Sequence, residues 1–501
     1  MTKPTAAEPW LDRVRHSVRG AVPALKRAWP LGLPALLVVI LLVPAALLVA
    51  PGFLGPESPP PAPPALEWQQ VPATLSPARG LAPLDVSAGI PLASGITAQV
   101  EPVLKADGGG NFTGLVQDAL TGAVLFDRGG SEGRVPASNM KLLTAVAALR
   151  SLGPERRFTT TVVQGPAAGQ VVLVGGGDAL LGAGESNADA AMGHAGLATL
   201  ATRTVEALKA AGTTGELKVL VDDSLFTGPA LNPAWESGDV AAGEVAPVYP
   251  LALNSARFDP AVTTGPRPQD SAITAAAEFA SRLRTAGAAA GLTVSAAVER
   301  SPRPATVEAA DMAVLAAAES ATVAEQVDLM LQASDNYLAE VLGRMASLAE
   351  GGPGSNDGAT AAVRAQLAGA GIDVDGATLV DVCGLAMGNR VSARQFTEVV
   401  RAIAAGTDSR LRAALDGFPV GGLTGTLDTR YGEDSTARGA GLVRAKTGTL
   451  NTVLALSGYV VDADGRLLVF SFIGNGLTPG AAGNKVALDR AATALAACGC
   501  R

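Results

Sequence analysis

An almost wholly apolar run spans residues 31–54 (LGLPALLVVILLVPAALLVAPGFL), and it limits the architecture of the chain more than any other feature. Its 24 residues are enough for a helix that crosses the hydrocarbon core of a bilayer, which is about 30 Å thick. Six lysines and arginines precede the run, and by the positive-inside rule they favour a cytoplasmic N-terminus. We therefore expect a single-pass membrane protein whose folded part, after Gly55, is extracytoplasmic.

A cleaved signal peptide is the alternative interpretation of this run. However, the run is long for the apolar core of a signal peptide, and no A-x-A cleavage site follows it. The next residues are rich in proline, with PESPPPAPP at 56–64, and such a stretch favours extended polyproline II structure. We expect a basic cytoplasmic segment over 1–30, a transmembrane anchor over 31–54 and a semi-rigid linker over 55–80.

The composition argues against several functional classes. The net charge of −8 gives no basic footprint for nucleic acid, so nucleic acid is not an expected partner. The chain has two histidines, and His16 precedes the apolar run, so a Ser-His-Asp triad would have to use His194. A zinc site would lack ligands for the same reason. We expect no metal and no organic cofactor, and a hydrolase built on this chain would use a base other than histidine.

The three cysteines match no zinc, haem or iron–sulfur spacing. In an extracytoplasmic protein, Cys383, Cys498 and Cys500 could form one disulfide and leave one thiol free. That disulfide could tie the C-terminal tail to Cys383. Alternatively, all three are inert thiols.

The apolar pattern beyond residue 81 predicts both strands and helices. Apolar residues at three- and four-residue steps predict helices over 138–152, 322–348 and 487–497. Short apolar stretches bounded by turn residues predict a hairpin over 114–127 and strands over 441–446, 454–461 and 467–473. We expect an α+β domain, an antiparallel sheet flanked by helices, formed by 81–157 and 311–501.

Residues 158–310 have a different pattern and are expected to form a large inserted region. Short β-like runs at 171–174 and 217–221 alternate with glycine and proline turns, and one alanine-rich helix is predicted over 275–290. The sequence thus predicts a β-rich insertion with its own core.

Three short motifs occur in order: S-N-M-K at 138–141, S-D-N at 334–336 and K-T-G-T at 446–449. Each has an ordinary structural explanation when it is taken alone: a helix N-cap, a local helix break and an edge-strand lysine. Their ordered occurrence on compatible elements instead indicates a single catalytic site.

The first motif has the chemistry of an activated nucleophile. Ser138 and Lys141 lie one turn apart on a helix and share a face, so the lysine amine could take the proton of the serine hydroxyl. This requires Lys141 to be neutral part of the time, and burial together with a neighbouring cation such as Lys446 would favour the neutral form. We predict that Ser138 is the nucleophile and Lys141 its base.

The other two motifs offer groups that would handle the substrate. Ser334 could relay a proton to a leaving amine, and Asn336 could bond the substrate amide or the lysine. Lys446, Thr447 and Thr449 offer donors to a carboxylate, and Gly448 lets another segment approach the strand. The backbone N–H groups of Ser138 and Thr449 are the candidates for the oxyanion hole.

This set of motifs resembles that of the penicillin-recognising serine enzymes, the penicillin-binding proteins and serine β-lactamases. Nearly two hundred residues separate the first two motifs, which resembles the low-molecular-mass class C penicillin-binding proteins, the D-Ala-D-Ala carboxypeptidase/endopeptidase family. The resemblance covers residues 85–501 and includes the stretches GGGD at 175–178, VDDSLFTGP at 221–229, DVCGL at 381–385, NRV at 389–391 and GTL at 425–427. Cys383 and Ala386 stand where the family usually has serine.

The resemblance implies a penicillin-binding-protein/β-lactamase-like transpeptidase domain that cleaves the D-Ala-D-Ala end of peptidoglycan stem peptides through an acyl-enzyme on Ser138. β-Lactams would acylate the same serine. Two alternatives remain. A class A β-lactamase would need a glutamate after the S-D-N motif, and none occurs between Gly351 and Thr397. A catalytically silent cell-wall binding protein would not require the three intact motifs.

Overall fold

Two five-stranded sheets organise the part of the chain that the structure, a computed structural model, describes: residues 84–302 and 313–500. The predicted segments 1–30, 31–54 and 55–80 lie outside the described residues. Within the described ranges, no helix has the length and apolar character needed to cross a membrane.

Strands are numbered in chain order. They are β1 Gly109–Asp118, β2 Val124–Arg128, β3 Thr159–Gln164, β4 Gln170–Val174, β5 Asp178–Leu181, β6 Gly215–Asp222, β7 Leu251–Leu253, β8 Leu292–Arg300, β9 Val314–Glu319, β10 Arg444–Leu450, β11 Val453–Val461 and β12 Leu467–Thr478. The helices are α1 Ala93–Val100, α2 Met140–Ser151, α3 Leu197–Ala210, α4 Ser237–Ala242, α5 Ser271–Gly287, α6 Val323–Gln332, α7 Asn336–Ala349, α8 Asn356–Gly369, α9 Ala393–Ala405 and α10 Lys485–Ala496.

The first sheet is antiparallel throughout, in the order β10-β11-β12-β1-β2. Its central strand β12 is buried on both faces, because successive side chains of a strand point to opposite sides. Leu468 and Phe470 pack in the core with α1 and α10, whereas Val469 and Ile473 pack in the core with α2 and α9. The expected antiparallel sheet flanked by helices is therefore present.

The second sheet lies between the first two motifs in sequence, in the order β8-β6-β4-β3-β9. It is mixed: β4, β6 and β8 are parallel, and β3 is antiparallel to both of its neighbours. Parallel strands need crossover connections, and α3 and α5 lie on the two crossovers and pack in the core of this sheet.

This second sheet corrects two details of the sequence prediction. The region is not simply β-rich, because α3, which the sequence analysis did not predict, joins the predicted helix α5 in covering the sheet. The sheet also takes its edge strand β9 from residues beyond 310, so it ends at Glu319. Strand β9 was missed because its sequence, VLAAAE, has helix-favouring composition, and pairing with β3 overrides that preference.

Candidate active site

Ser138 lies in a short 3-10 turn, Ala137–Asn139, that leads directly into α2. The preceding residue, Ala137, has φ +48°, which is uncommon for a residue with a side chain. Backbone strain of this kind is concentrated at functional sites. Gly384 packs closely against this turn on one side. A Cβ added at Gly384 would lie only 2.0 Å from the Ala137 carbonyl oxygen, so a residue with a side chain would not fit there.

The Lys141 amine is fully buried one turn after Ser138. Its Nζ lies 3.0 Å from Ser138 Oγ, 2.6 Å from Asn336 Oδ1 and 2.7 Å from the carbonyl oxygen of Cys383. Burial lowers the pKa of Lys141, although nearby acidic groups oppose the shift. A neutral amine has two N–H donors and one lone pair, and the amide and carbonyl oxygens can only accept. The lone pair is therefore left for the Ser138 hydroxyl.

Lys446 is the second buried lysine of the site. It extends from β10, and its Nζ donates to Ser334 Oγ at 2.9 Å and to the Thr447 carbonyl oxygen at 2.9 Å. Burial lowers the pKa of Lys446 well below its ordinary value, and the charge of Lys141 adds to the effect. Ser334 itself has φ +55°, so the S-D-N motif also begins in a left-handed conformation.

Strand β10 passes close to the nucleophile at Gly448. A Cβ at this position would lie 3.0 Å from the Pro136 carbonyl oxygen and 3.2 Å from the backbone nitrogen of Ser138. Glycine therefore permits the contact that places the third motif against the first. Next to it, the Thr447 hydroxyl lies 2.7 Å from the Thr426 hydroxyl.

Ser138 opens onto two cavities that also share Glu244, Asn336 and Thr449. The first, of about 420 Å³, is rich in cationic and hydroxyl groups: Arg257, Arg267, Arg430, Lys485, Thr263, Thr264, Thr426, Thr429 and Thr447. The second, of about 650 Å³, combines acidic and apolar groups: Glu236, Asp239, Leu385, Met387 and Leu450. The nucleophile thus lies between a cationic side and a more acidic side.

Comparison with known proteins is consistent with this geometry. The D-Ala-D-Ala carboxypeptidase 3 (S13) family matches residues 96–271 and 265–495. Carboxypeptidase DacB of Mycolicibacterium smegmatis is 36% identical over 93% of this chain and 95% of the relative. The chain belongs to the D-Ala-D-Ala carboxypeptidase 3 (S13) family.

Two further proteins are similar to this S13 family member over most of its length. A carboxypeptidase of Mycobacterium tuberculosis is 35% identical over 88% of this chain and 90% of the relative. The crystal structure of penicillin binding protein 4 from Haemophilus influenzae covers 80% of this chain and 97% of its own, with a TM-score of 0.61 and 21% identity. The penicillin-binding-protein fold predicted from the sequence is therefore confirmed.

In this S13 family fold the eight predicted site residues meet around Ser138. Five of them line the cationic cavity: Ser138, Ser334, Asn336, Thr447 and Thr449. Lys141 lies behind Ser138, and Lys446 lies behind Ser334, each within hydrogen-bond distance of that serine. Gly448 packs against the turn that carries Ser138. No predicted site residue lies elsewhere.

Asn139, the residue between the nucleophile and its helix, was not among the predicted site residues. It is fully buried, its side chain lies 2.6 Å from Ser457 Oγ, and its amide nitrogen, in the orientation that satisfies its neighbours, donates to the Lys446 carbonyl at 2.9 Å. Asn139 thereby ties the first motif to the first sheet at β10 and β11. The signal that could have identified it is a polar residue at a position that the helical pattern buries.

The turn after Asp381, which presents the Cys383 carbonyl to Lys141, was also missed. Asp381 accepts from the backbone nitrogens of Gly384 at 2.9 Å and Ala386 at 2.7 Å, and from Trp235 Nε1 at 2.9 Å. On the other side, Glu340 Oε1 accepts from the backbone nitrogens of Val382 and Cys383, both at 3.0 Å.

These contacts also bear on the cysteines and on metal binding. Cys383 is buried with a free thiol, and Cys498 pairs with Cys500, so a disulfide between the tail and Cys383 is the wrong alternative. The ligand atoms of Glu340, Asp381 and Cys383 lie within 4.8 Å of one another. Backbone N–H groups already occupy both Asp381 oxygens and one Glu340 oxygen, so the group works as a hydrogen-bonded support for the turn.

Proposed function

We propose that this protein is a serine D-Ala-D-Ala carboxypeptidase that trims peptidoglycan stem peptides through an acyl-enzyme on Ser138. Its S13 family membership and the carboxypeptidase activity named for its relatives support this reaction class. The observation that carries the assignment is the environment of Lys141. Asn336 Oδ1 and the Cys383 carbonyl accept hydrogen bonds from the two N–H groups of the neutral Lys141 amine. The amine's lone pair is therefore directed at the Ser138 hydroxyl.

Acylation begins with transfer of the Ser138 proton to the neutral Lys141 amine. The serine oxygen then attacks the carbonyl of the penultimate D-alanine, and negative charge develops on the carbonyl oxygen. The backbone N–H groups of Ser138 and Thr449 are the donors to that oxygen, and such donors are often worth about 3–4 kcal/mol of barrier. Gly448 keeps these two segments in contact.

The cationic cavity binds the leaving side of the substrate. The terminal carboxylate lies against the Thr447 and Thr449 hydroxyls, which line the cavity and suit a carboxylate, and the Lys446 amine lies behind them. Ser334 receives a hydrogen bond from Lys446 and lines the same cavity. It relays to the departing D-alanine amine the proton that Lys141 took from Ser138, so Ser334 regains its own proton and Lys141 returns to the neutral form. Water then hydrolyses the acyl-enzyme and frees Ser138.

A D,D-endopeptidase reaction is the second candidate. The cavity on the leaving side extends to Arg430 and Lys485 and has about 420 Å³ of space, which exceeds what a single D-alanine needs. A cross-linked peptide would fill more of this space with the same chemistry at Ser138. The two activities differ only in the leaving group.

The experiment is mass spectrometry of the full-length protein in detergent, incubated separately with benzylpenicillin, a pentapeptide ending in D-Ala-D-Ala and a cross-linked muropeptide. A long-lived penicilloyl adduct on Ser138 with release of D-alanine is the expected result. Rapid penicillin turnover with intact peptide would make the protein a β-lactamase. No reaction with any of the three would leave a silent cell-wall binding protein. Labelling of a folded Ser138→Ala variant would contradict the assignment of the nucleophile.

We further infer that residues 31–54 anchor the protein in the membrane with its catalytic part outside the cytoplasm. The support is the length of the apolar run and the six basic residues ahead of it. Membrane fractionation of the full-length chain and of a variant without residues 1–54 tests this. The full-length chain should stay with the membrane at high salt, and the shortened chain should not.

A further inference from the structure

The S-D-N motif is held largely by residues that precede it in the inserted region. Its central residue, Asp335, is buried and caps α7 by accepting from the Leu338 backbone nitrogen at 3.0 Å. Asp335 Oδ1 also accepts from Ser255 Oγ at 2.8 Å, and Oδ2 accepts from Arg257 Nη1 at 2.8 Å. The Arg257 side chain is itself only 9% exposed, so the ion pair is shielded from water.

The turn that presents these two partners has an unusual backbone. Asn254, Ser255 and Ala256 have φ values of +52°, +56° and +54°, three consecutive left-handed residues that are not glycine. Left-handed conformations are unfavourable for residues with a Cβ, and they persist only where surrounding contacts hold them.

Those contacts come from the inserted region itself. The Ser255 backbone nitrogen donates to the Ala179 carbonyl at 2.8 Å, and Arg267 Nη1 donates to the Ser255 carbonyl at 2.9 Å. Arg267 also bonds the Gly243 carbonyl through its Nε. The strained turn is therefore supported on both sides, and it delivers the Ser255 hydroxyl and the Arg257 guanidinium to Asp335.

The inserted region also sets the orientation of Asn336. Asn336 Nδ2 donates to the Glu244 carbonyl at 2.9 Å, so the amide oxygen is directed at Lys141. The next residue, Tyr337, is held in the same way, with its hydroxyl 2.8 Å from Ser271 Oγ. Each residue from 335 to 337 thus has a partner in the inserted region.

We propose that the inserted region is a working part of the active site, with Arg257 as the positioning residue that holds Asp335 and thereby places Ser334 and Asn336. This inference rests on the proposed acylation of Ser138. Arg257 acts through Asp335, because its ion pair keeps the start of α7 in the position that gives Lys141 and Lys446 their partners.

The electrostatics support this arrangement. Burial alone would raise the pKa of Asp335, but Arg257 and the hydrogen bond from Leu338 hold it below its ordinary value. A buried carboxylate whose counter-ion is removed is strongly destabilised. It relieves that cost by taking up a proton or by moving, and either response changes the geometry of Ser334 and Asn336.

The test is the rate of acylation by a fluorescent penicillin in the full-length protein. Arg257→Met should lower the rate at least tenfold, and Arg257→Lys, which keeps the charge, should recover part of it. Arg282→Met is the matched control, since Arg282 forms a surface pair with Glu278 on α5, and it should stay within twofold of wild type. Normal acylation of a folded Arg257→Met variant would overturn the proposal.

A double-variant comparison keeps the test decisive if Arg257→Met does not fold. The pair Asp335→Asn and Arg257→Met/Asp335→Asn leaves no unpaired carboxylate in the interior. If Arg257 acts through Asp335, the two variants should acylate within threefold of each other and below wild type. A larger additional loss in the double variant, or wild-type rates in both, would contradict the proposal. Wild-type labelling is measured first, because its absence would count against the proposed function.

Discussion

Asn336 and Glu340 lie one helical turn apart on α7, and both constrain Lys141. Asn336 accepts a hydrogen bond from the lysine amine directly, at 2.6 Å. Glu340 acts one step away, because it binds the backbone nitrogens of Val382 and Cys383, and the Cys383 carbonyl accepts from Lys141 at 2.7 Å. Residues four apart share a helix face, so one helix positions the base from two directions.

The first prediction concerns Glu340. Burial raises its pKa from 4.5 to about 7, with the charge of Asp381 adding to the shift. The folded state then binds a proton more tightly than the unfolded state, so the stability from this group is present below about pH 4.5 and is lost as the pH rises through about 7. Glu340→Gln keeps an oxygen that can accept from the Val382 and Cys383 backbone nitrogens, so it should retain acylation. It also removes the loss of stability that wild type undergoes as the pH rises. Its Tm should fall less than that of wild type between pH 5 and pH 8.

Glu340→Ala is the comparison variant. It leaves two buried N–H groups without an acceptor, and each such loss costs about 1–3 kcal/mol. We expect a clear fall in Tm and in the rate of acylation. Parallel curves of Tm against pH for wild type and Glu340→Gln would show that Glu340 does not titrate as described.

The second prediction concerns Lys446, whose folded-state pKa lies well below its ordinary value because of burial. The unfolded state therefore binds the proton more tightly, and wild-type stability falls as the pH drops below about 10.4, the ordinary pKa of lysine. Lys446→Met removes that cost, so at pH 7 its Tm should equal or exceed that of wild type. Acylation should fall about a hundredfold or more, because Ser334 loses the amine that donates to it and the carboxylate loses a nearby donor.

Differential scanning calorimetry at pH 6 and pH 9 checks the stability part of this prediction. The gap in Tm in favour of Lys446→Met should widen at the lower pH. Lys218→Met, at a surface pair with Glu299, is the control and should show no such trend. A lower Tm for Lys446→Met at both pH values would refute the prediction.

The third prediction concerns Gly448→Ala. The new Cβ would meet the Pro136 carbonyl oxygen at 3.0 Å and the Ser138 nitrogen at 3.2 Å, so the neighbours must move by a few tenths of an ångström. Small displacements of reacting groups are costly, and we expect acylation to slow by about tenfold to a hundredfold. Tm should change little. Gly432→Ala, which has open space around it, should match wild type in both measurements.

The fourth prediction concerns Trp235→Phe. Phenylalanine keeps most of the ring packing but loses the bond from Nε1 to Asp381 at 2.9 Å. Because Asp381 organises the turn behind Lys141, the loss should cost about 1.5–3 kcal/mol of unfolding free energy, the range for a hydrogen bond to a charged group. Urea denaturation measures this. An unchanged midpoint would mean that Asp381 finds another donor.

Much of the first sheet could be predicted from the sequence, because its strands and helices carry local apolar periodicity. The predicted strands at 454–461 and 467–473 lie within β11 and β12. The second sheet was harder. Helix α3 was missed although its buried residues Leu197, Leu200 and Leu208 recur at helical spacing, whereas β9 shows no strand pattern until it pairs with β3. Pairing between distant segments has no local signature.

The sequence by itself determined the chemistry of the site, because the motifs are short and their geometry is local. Ser138 and Lys141 are three residues apart, so the helical turn that begins α2 places them on one face. Tertiary structure alone decided the supports of that chemistry. The Cys383 carbonyl lies 242 residues from Lys141, and Arg257 lies 78 residues from Asp335. Such contacts depend on how the sheets and the inserted region pack, and no periodic pattern in the sequence encodes them.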